Sequence, residues 1–138
     1  MTTHTTTPVE ARLTQAYRDM AAGDIERLME LYMQDALIQS PGEGPIAGAP
    51  AIRAFWQSTF DRYRVRLIPE VQEVTTFGEI VVVRGLAAGV LEPRSGEVAV
   101  PIDSWFMQIY RRSADGTLRF WRGTNGPNPA TPSGKAAR

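Results

Sequence analysis

Residues 80–110 read IVVVRGLAAGVLEPRSGEVAVPIDSWFMQIY, two long runs of β-branched, aliphatic and aromatic residues separated by the turn sequence EPRSGE. Runs of this composition, bounded by glycine, proline and charged residues, are typical of paired β-strands. Residues 65–76 and 118–124 are similar runs, joined to this pair through the turns FGE and SADG. The second half of the chain is therefore predicted to form an antiparallel meander of four strands.

The first half has helical periodicity instead. Apolar residues recur at helical spacing over residues 9–20, and Thr7 and Pro8 suit the N-cap and the first turn. Gly23-Asp24 ends this helix and begins a second short one, whose apolar face extends to Tyr32. A helical hairpin is therefore expected to open the domain.

A third helix is predicted after a brief strand at residues 36–40 and a PGEGP turn, with Pro50 in its first turn and Phe60 near its end. Helices followed by strands indicate an α+β fold, in which a strongly curved sheet wraps around three N-terminal helices. The chain has the length of one domain, which we place at residues 8–128. A polar leader at 1–7 and a tail at 129–138 are expected to be disordered.

Composition excludes several classes of function. Fifteen Lys+Arg balance fifteen Asp+Glu, so the charge favours neither nucleic acid nor an anionic membrane surface. Cysteine is absent and the single histidine is His4, which excludes thiolate catalysis and a Ser-His-Asp triad. No spacing of oxygen ligands suggests a metal, and no run is long and apolar enough to span a membrane. We expect a cytoplasmic protein without metal or cofactor.

Short motifs along the chain resemble the nuclear transport factor 2-like superfamily. They are Tyr17, Gly23-Asp24, Leu31-Tyr32, Asp35-Ala36, Ser40-Pro41, Gly48, the AIRAFW segment at 51–56, Asp115-Gly116, Leu118-Arg119, Trp121 and Asn125. Within that superfamily the chain is most similar to the SnoaL-like, DUF4440 and ketosteroid isomerase groups. The resemblance implies a cystatin-like cone around one small hydrophobic molecule, such as a ketone, steroid or polyketide, and a homodimer formed through the sheet. Function does not follow from this fold alone.

The ketosteroid isomerase branch supplies a chemical template for two residues. Tyr17 stands at the position of a tyrosine that donates a hydrogen bond to a developing enolate. Asp103, preceded by Pro-Ile, matches a protonated strand carboxylic acid with the same task. Ser40 stands where the isomerases have an aspartate base, and a serine hydroxyl is no carboxylate base near pH 7. The resemblance thus implies both oxyanion donors but not the base.

Asp103 is also unusual on physical grounds, because it interrupts an apolar strand where an unpaired buried carboxylate is costly. By alternation it shares a face with Trp105 and Met107, and if that face lines the cavity, desolvation favours the neutral donor form. The alternative is an ion pair with an arginine of a neighbouring strand, Arg84, Arg119 or Arg122.

Other residues are predicted to line the pocket or to support it. The aromatic and soft apolar side chains are Phe55, Trp56, Phe60, Trp105, Met107 and Trp121. Tyr32 is expected to support Tyr17, and Asn125 to orient a ligand carbonyl or hydroxyl at the open end. Core packing, or a capping role for Asn125, remains the alternative for each of them. Glu43, in the PGEGP turn, is the nearest carboxylate that could replace the base.

Three functional hypotheses follow. The first is an isomerase, cyclase or dehydratase that stabilises an enolate or polarises a carbonyl through Tyr17 and Asp103. The second is a non-catalytic binding module, indicated by Ser40 at the base position. The third is an interaction protein that docks through its sheet face. We expect Ile102 and Phe106 on an outer face that a second copy covers.

Overall fold

The computed structural model describes residues 7–129. Its elements are α1 (Pro8–Ala22), α2 (Ile25–Met29), β1 (Tyr32–Gln39), β2 (Ile46–Ala47), α3 (Ala49–Arg62), β3 (Tyr63–Phe77), β4 (Ile80–Pro93), β5 (Val100–Arg112) and β6 (Leu118–Pro127). The predicted α+β fold is confirmed, with the long strands after the helices. The predicted disordered leader and tail lie almost wholly outside the described residues.

Local capping explains why α1 and α2 begin and end where they do. The Thr7 side chain accepts a hydrogen bond from the Glu10 backbone N–H at 3.2 Å, and the Glu10 carboxylate accepts one from the Thr7 N–H at 2.9 Å. Gly23 ends α1 in the left-handed conformation with φ of 66°, which glycine adopts without a steric penalty. Asp24 then caps α2 by accepting from the Arg27 N–H at 3.1 Å.

The strands form one six-stranded sheet in the order β2-β1-β6-β5-β4-β3. The predicted meander is confirmed as the antiparallel pairs β3/β4, β4/β5 and β5/β6. β1 lies parallel to β6, with Tyr32 opposite Phe120. The prediction that Tyr32 lies on the second helix is therefore wrong: the Phe120 N–H donates to the Leu31 carbonyl at 2.8 Å and draws this part of the chain into the sheet.

The concave face of the sheet packs against the helices, and alternate residues of the long strands are buried there. On β5 these buried residues include Phe106 and Tyr110, whereas Met107 between them is 45% exposed. The core is completed by helical residues such as Leu13, Leu28 and Ile52. Across residues 7–129, every helix is too short or too polar to traverse a bilayer.

Candidate ligand site

Helices α1 and α3 and the concave sheet face enclose a cavity of about 840 Å³. Most of its wall is apolar and aromatic, from residues that include Met20, Ile38, Phe55, Trp56, Leu67, Phe106 and Phe120. Exposed residues such as Pro41, Pro101 and Pro127 surround the mouth, while Tyr17 and Tyr32 line the closed end. A cavity of this size and lining suits a small organic molecule with a ring system.

Tyrosines dominate the polar chemistry of the closed end. Burial raises the pKa of Tyr17 to about 12. Burial also raises the pKa of Tyr32 and Tyr110 well above 10.0, and the neighbouring phenols raise both further. The three phenols therefore keep their protons near neutral pH, and each remains a hydrogen-bond donor.

Hydrogen bonds distinguish Tyr17 from the other two tyrosines. The Trp56 Nε1–H donates to Tyr32 Oη at 3.0 Å, and the Tyr110 hydroxyl donates to Gln108 Oε1 at 2.8 Å. Among residues 7–129, the Tyr17 hydroxyl has no hydrogen-bond partner in the protein. Every fully buried side-chain N or O atom in this range does have a partner, so the Tyr17 oxygen is not fully buried. The Tyr17 oxygen is therefore accessible from the cavity and free to bond a ligand.

The raised tyrosine pKa values predict an alkaline loss of stability. The unfolded chain releases phenolic protons near pH 10.0 while the folded protein keeps them, so the free energy of unfolding falls as the pH rises above 10 and is unaffected below it. Each such phenol contributes a loss of about 1.4 kcal/mol per pH unit in this window. The free energy of unfolding is measured by urea denaturation at several pH values between 9 and 11. In Tyr110→Phe its decrease with pH is expected to be less steep, by the amount that corresponds to about one proton. An unchanged slope would contradict this account.

The structure places Asp103 at the rim of the cavity rather than in its interior. Its side chain is exposed and accepts a hydrogen bond from Asn128 Nδ2 at 2.8 Å. On β5 the residues that face the cavity are Ile102, Ser104, Phe106 and Gln108, and the opposite face carries Asp103, Trp105 and Met107. The prediction that Asp103 lies among apolar groups inside the cavity, together with Trp105 and Met107, is therefore wrong.

The alternative prediction, an ion pair between Asp103 and a strand arginine, is also wrong. Arg84 pairs with Glu73 at 2.6 Å, and Arg119 lies 3.8 Å from Asp115. Arg122 donates to the Asp35 carbonyl oxygen at 2.7 Å. Each of the three arginines is engaged elsewhere, and the Asp103 side chain stays at the rim with Asn128.

The predicted pocket residues divide into three groups. Tyr17, Tyr32, Ser40, Phe55, Trp56 and Asn125 line the cavity. Phe60 lies behind it, buried, with its ring centroid 5.6 Å from that of Trp56. Trp105, Met107 and Trp121 lie outside it: the Trp121 Nε1–H donates to Asp35 at 3.3 Å, and the guanidinium groups of Arg111 and Arg122 lie 4.9 and 4.4 Å from its ring centroid. Their prediction as pocket residues is wrong, because β5 and β6 point them away from the helices.

Carboxylates are confined to the mouth. Among the described residues that line the cavity, the acidic ones are Glu43 and Asp103, and both are exposed. Ser40, at the predicted base position, donates to Asn125 Oδ1 at 3.1 Å. Residues 7–129 contain no group of three or more His, Cys, Asp or Glu side chains that could hold a metal ion. The interior of the site therefore offers phenol, amide and hydroxyl groups.

A comparison with known protein families assigns this domain to one of them. Residues 13–121 match the SnoaL-like domain. The chain belongs to the SnoaL-like family. The fold of this SnoaL-like protein is also found in a solved structure described as NTF2-like, in agreement with the resemblance of its sequence motifs.

Solved structures share the fold at low sequence identity. A conserved protein from Planctomyces limnophilus has a TM-score of 0.83 at 20% identity, over 88% of this chain and 94% of that one. A ketosteroid isomerase-like protein from Erwinia carotovora atroseptica has a TM-score of 0.79 at 21% identity, over 88% and 95%. An NTF2-like protein with a cystatin-like fold from Novosphingobium aromaticivorans has a TM-score of 0.69 at 18% identity, over 90% and 82%. No curated protein matches the chain significantly.

Sequence reasoning missed Gln108 as a site residue of the SnoaL-like domain. The available signal was a polar side chain within an apolar strand, two residues from Tyr110 and hence on the same face. It was overlooked because apolar residues occupy both faces of β5, so alternation alone did not show which face meets the cavity. Phe106, predicted on the outer face, is only 3% exposed and forms part of the cavity wall.

Proposed function

We propose that this SnoaL-like protein binds one small, largely apolar molecule and holds an acceptor oxygen of that molecule, a carbonyl or enolate oxygen, at the closed end of its cavity. The observation that carries the proposal is the Tyr17 hydroxyl, which lines an apolar cavity and has no partner among residues 7–129. A donor in such surroundings is stabilised when a ligand supplies the acceptor.

The same geometry supports a catalytic role for Tyr17. A neutral phenol in a largely apolar cavity stabilises charge that develops on a carbonyl oxygen during isomerisation, cyclisation or dehydration. One preorganised donor of this kind lowers a barrier by about 2–4 kcal/mol. Asp103 has no part in this donor site, because its exposed carboxylate is bonded to Asn128. Among residues 7–129, the carboxylates that line the cavity are those of Glu43 and Asp103, and both lie at its mouth. A carboxylate base from this part of the chain therefore acts from the mouth.

A binding module without turnover is the second candidate. It is favoured by Ser40, which stands where the resemblance implies a base and is engaged with Asn125. In this version the cavity holds a metabolite with the same contacts, and no proton is moved.

Proton exchange distinguishes the two candidates. The protein is incubated with 2-acetylnaphthalene in deuterium oxide, and proton NMR follows deuterium entry into the methyl group. Exchange faster than in buffer and slowed by Tyr17→Phe supports catalysis, whereas saturable binding without exchange supports the binding module. Failure of both this ketone and the phenol equilenin to bind would overturn the proposed site.

We also propose that a second copy of the chain covers the outer sheet face. Trp105, Met107 and Ile109 lie on that face of β5, where Leu86 and Val82 of β4 lie opposite Trp105 and Ile109, and Arg84 lies opposite Met107. Apolar side chains exposed on one face of a sheet, including Met107 at 45%, favour association. The face differs from the predicted one, since Phe106 points inward and Trp105 and Met107 point outward.

Light scattering after size exclusion tests the homodimer. At micromolar concentration the wild type is expected to be a dimer, and Met107→Glu to be monomeric because it places a charge in the apolar contact. The control is Phe77→Glu, at a residue that is 63% exposed in the β3–β4 hairpin. A monomeric wild type would remove the proposal, as would a Met107→Glu variant that remains as dimeric as the control.

A further inference from the structure

We infer that Gln108 is a second hydrogen-bond donor to the ligand, oriented by Tyr110, and that it makes the closed end of the cavity selective for molecules with an acceptor oxygen. This inference rests on the proposed ligand-binding function and names the chemical class that the site prefers. Tyr110 acts through Gln108 and is a positioning residue.

Packing fixes the stem of Gln108. The residue lies on the inward face of β5 and lines the cavity, opposite Gly123 on β6. A Cβ atom at position 123 would lie 3.4 Å from Gln108 Cγ and 2.4 Å from the Phe120 ring. The side chains of Gln108 and Phe120 thus occupy the space that Gly123 leaves open, which restricts how the glutamine can move.

Tyr110 fixes which end of the amide faces the cavity. Its side chain is fully buried and its hydroxyl donates to Gln108 Oε1 at 2.8 Å. If the amide turned over, the buried phenolic proton would lose its acceptor, which is costly. The amide oxygen is therefore held toward Tyr110, and the two hydrogens on Nε2 are directed elsewhere.

The Nε2 group is available to a ligand. Among residues 7–129, Nε2 forms no hydrogen bond with a protein atom. Every fully buried side-chain N or O atom in this range has a partner, so Nε2 is not fully buried. Nε2 is therefore accessible from the cavity that Gln108 lines. The rings of Tyr110 and Tyr32 both pack against Phe120, at centroid distances of 5.8 and 5.0 Å, which places Gln108 at the end of the cavity that Tyr32 and Tyr17 line.

The closed end offers hydrogen-bond donors from Tyr17 and Gln108 and contains no carboxylate, so it selects for a ligand oxygen that accepts hydrogen bonds without donating one. A ketone satisfies both donors, whereas an alkene of the same shape leaves them without partners, and unpaired donors of this kind reduce affinity strongly. The inferred ligand class is therefore an aromatic or polycyclic ketone, or a related enolisable carbonyl compound, with its oxygen directed toward Tyr17 and Gln108.

The test compares the binding of two probes, 2-acetylnaphthalene and 2-isopropenylnaphthalene. They have the same shape, but the carbonyl oxygen of the first is replaced by a CH₂ group in the second. The wild type is expected to prefer the ketone by about tenfold or more. Gln108→Met keeps the length of the side chain without its donor and should reduce that preference about fivefold, with unchanged alkene affinity. Tyr110→Phe should reduce it in the same direction, because the amide is no longer held. Thr59→Val is the control, since the Thr59 hydroxyl lines the cavity but donates to the Phe55 carbonyl at 2.9 Å.

The infrared carbonyl stretch of bound 2-acetylnaphthalene gives a second readout. It is expected at lower wavenumber than in hexane, and to move back upward in Gln108→Met and, by a smaller amount, in Tyr110→Phe. An unchanged ketone preference and stretch in Gln108→Met would overturn the inference. So would an equal loss of affinity for both probes, which indicates a packing role. A wild type that binds equilenin but shows no ketone preference overturns the inference alone, whereas a wild type that binds none of these probes overturns the proposed function as well.

Discussion

Replacing Tyr17 by phenylalanine is expected to weaken the binding of the fluorescent phenol equilenin by about tenfold to a hundredfold at neutral pH. Phenylalanine fills the same space, so the change removes only the hydroxyl at the closed end of the cavity. That hydroxyl has no hydrogen-bond partner among residues 7–129, and a phenol held as its anion resembles the enolate oxygen that we propose it binds. Fluorescence titration of the purified protein measures the effect.

Asp103→Asn is the matched control for this titration. Because the Asp103 side chain is exposed and bonded to Asn128, its replacement is expected to leave equilenin affinity within about twofold of the wild type. Weakening in Asp103→Asn equal to that in Tyr17→Phe would restore the role that the family resemblance implied. Unchanged binding in Tyr17→Phe would remove the donor site itself.

The largest effect on stability is expected at Gly89, in the middle of β4. Its φ is 151°, and a Cβ atom there would lie 1.9 Å from the Arg66 carbonyl oxygen on β3. A backbone oxygen in a paired strand cannot move aside without loss of sheet hydrogen bonds. Gly89→Ala is therefore expected to lower the free energy of unfolding by about 3 kcal/mol, from overpacking and backbone strain together. Urea denaturation monitored by circular dichroism gives the value.

Gly44→Ala is the control for this substitution. Gly44 lies in the turn between β1 and β2, and no atom lies within 4 Å of the added Cβ. Its replacement is expected to change the free energy of unfolding by about 0.5 kcal/mol or less. Comparable effects at the two positions would show that the close approach of β3 and β4 is not what requires glycine at position 89.

The parts of the fold that could be predicted from sequence are those with local causes. The N-cap at Thr7, the break at Gly23 and the turn sequences between the long strands act within a few residues, and the structure confirms the elements they delimit. Tyr32 was misplaced because its position depends on pairing with Phe120, which is distant in sequence. No local pattern at residues 25–32 distinguishes a longer helix from an early strand.

The candidate site was predictable to the same limited extent. Tyr17 follows from helical periodicity together with the resemblance, and it does line the cavity. Asp103 and Gln108 depended on which face of β5 meets the helices, and both faces of that strand carry large apolar residues. The face turned toward the helices is set by tertiary packing, with Phe106 opposite Asn125 on β6 and Met107 turned outward. Sequence alternation defines the two faces but does not assign them to core or surface.

The most direct test of the central claim is a crystal structure of the protein with equilenin bound. We predict that the phenolic oxygen lies at the closed end, within about 3 Å of the Tyr17 hydroxyl, with the rings against Trp56 and Phe106. A ligand whose oxygen instead points out of the mouth, toward Asp103 or Asn125, would contradict the proposed donor site.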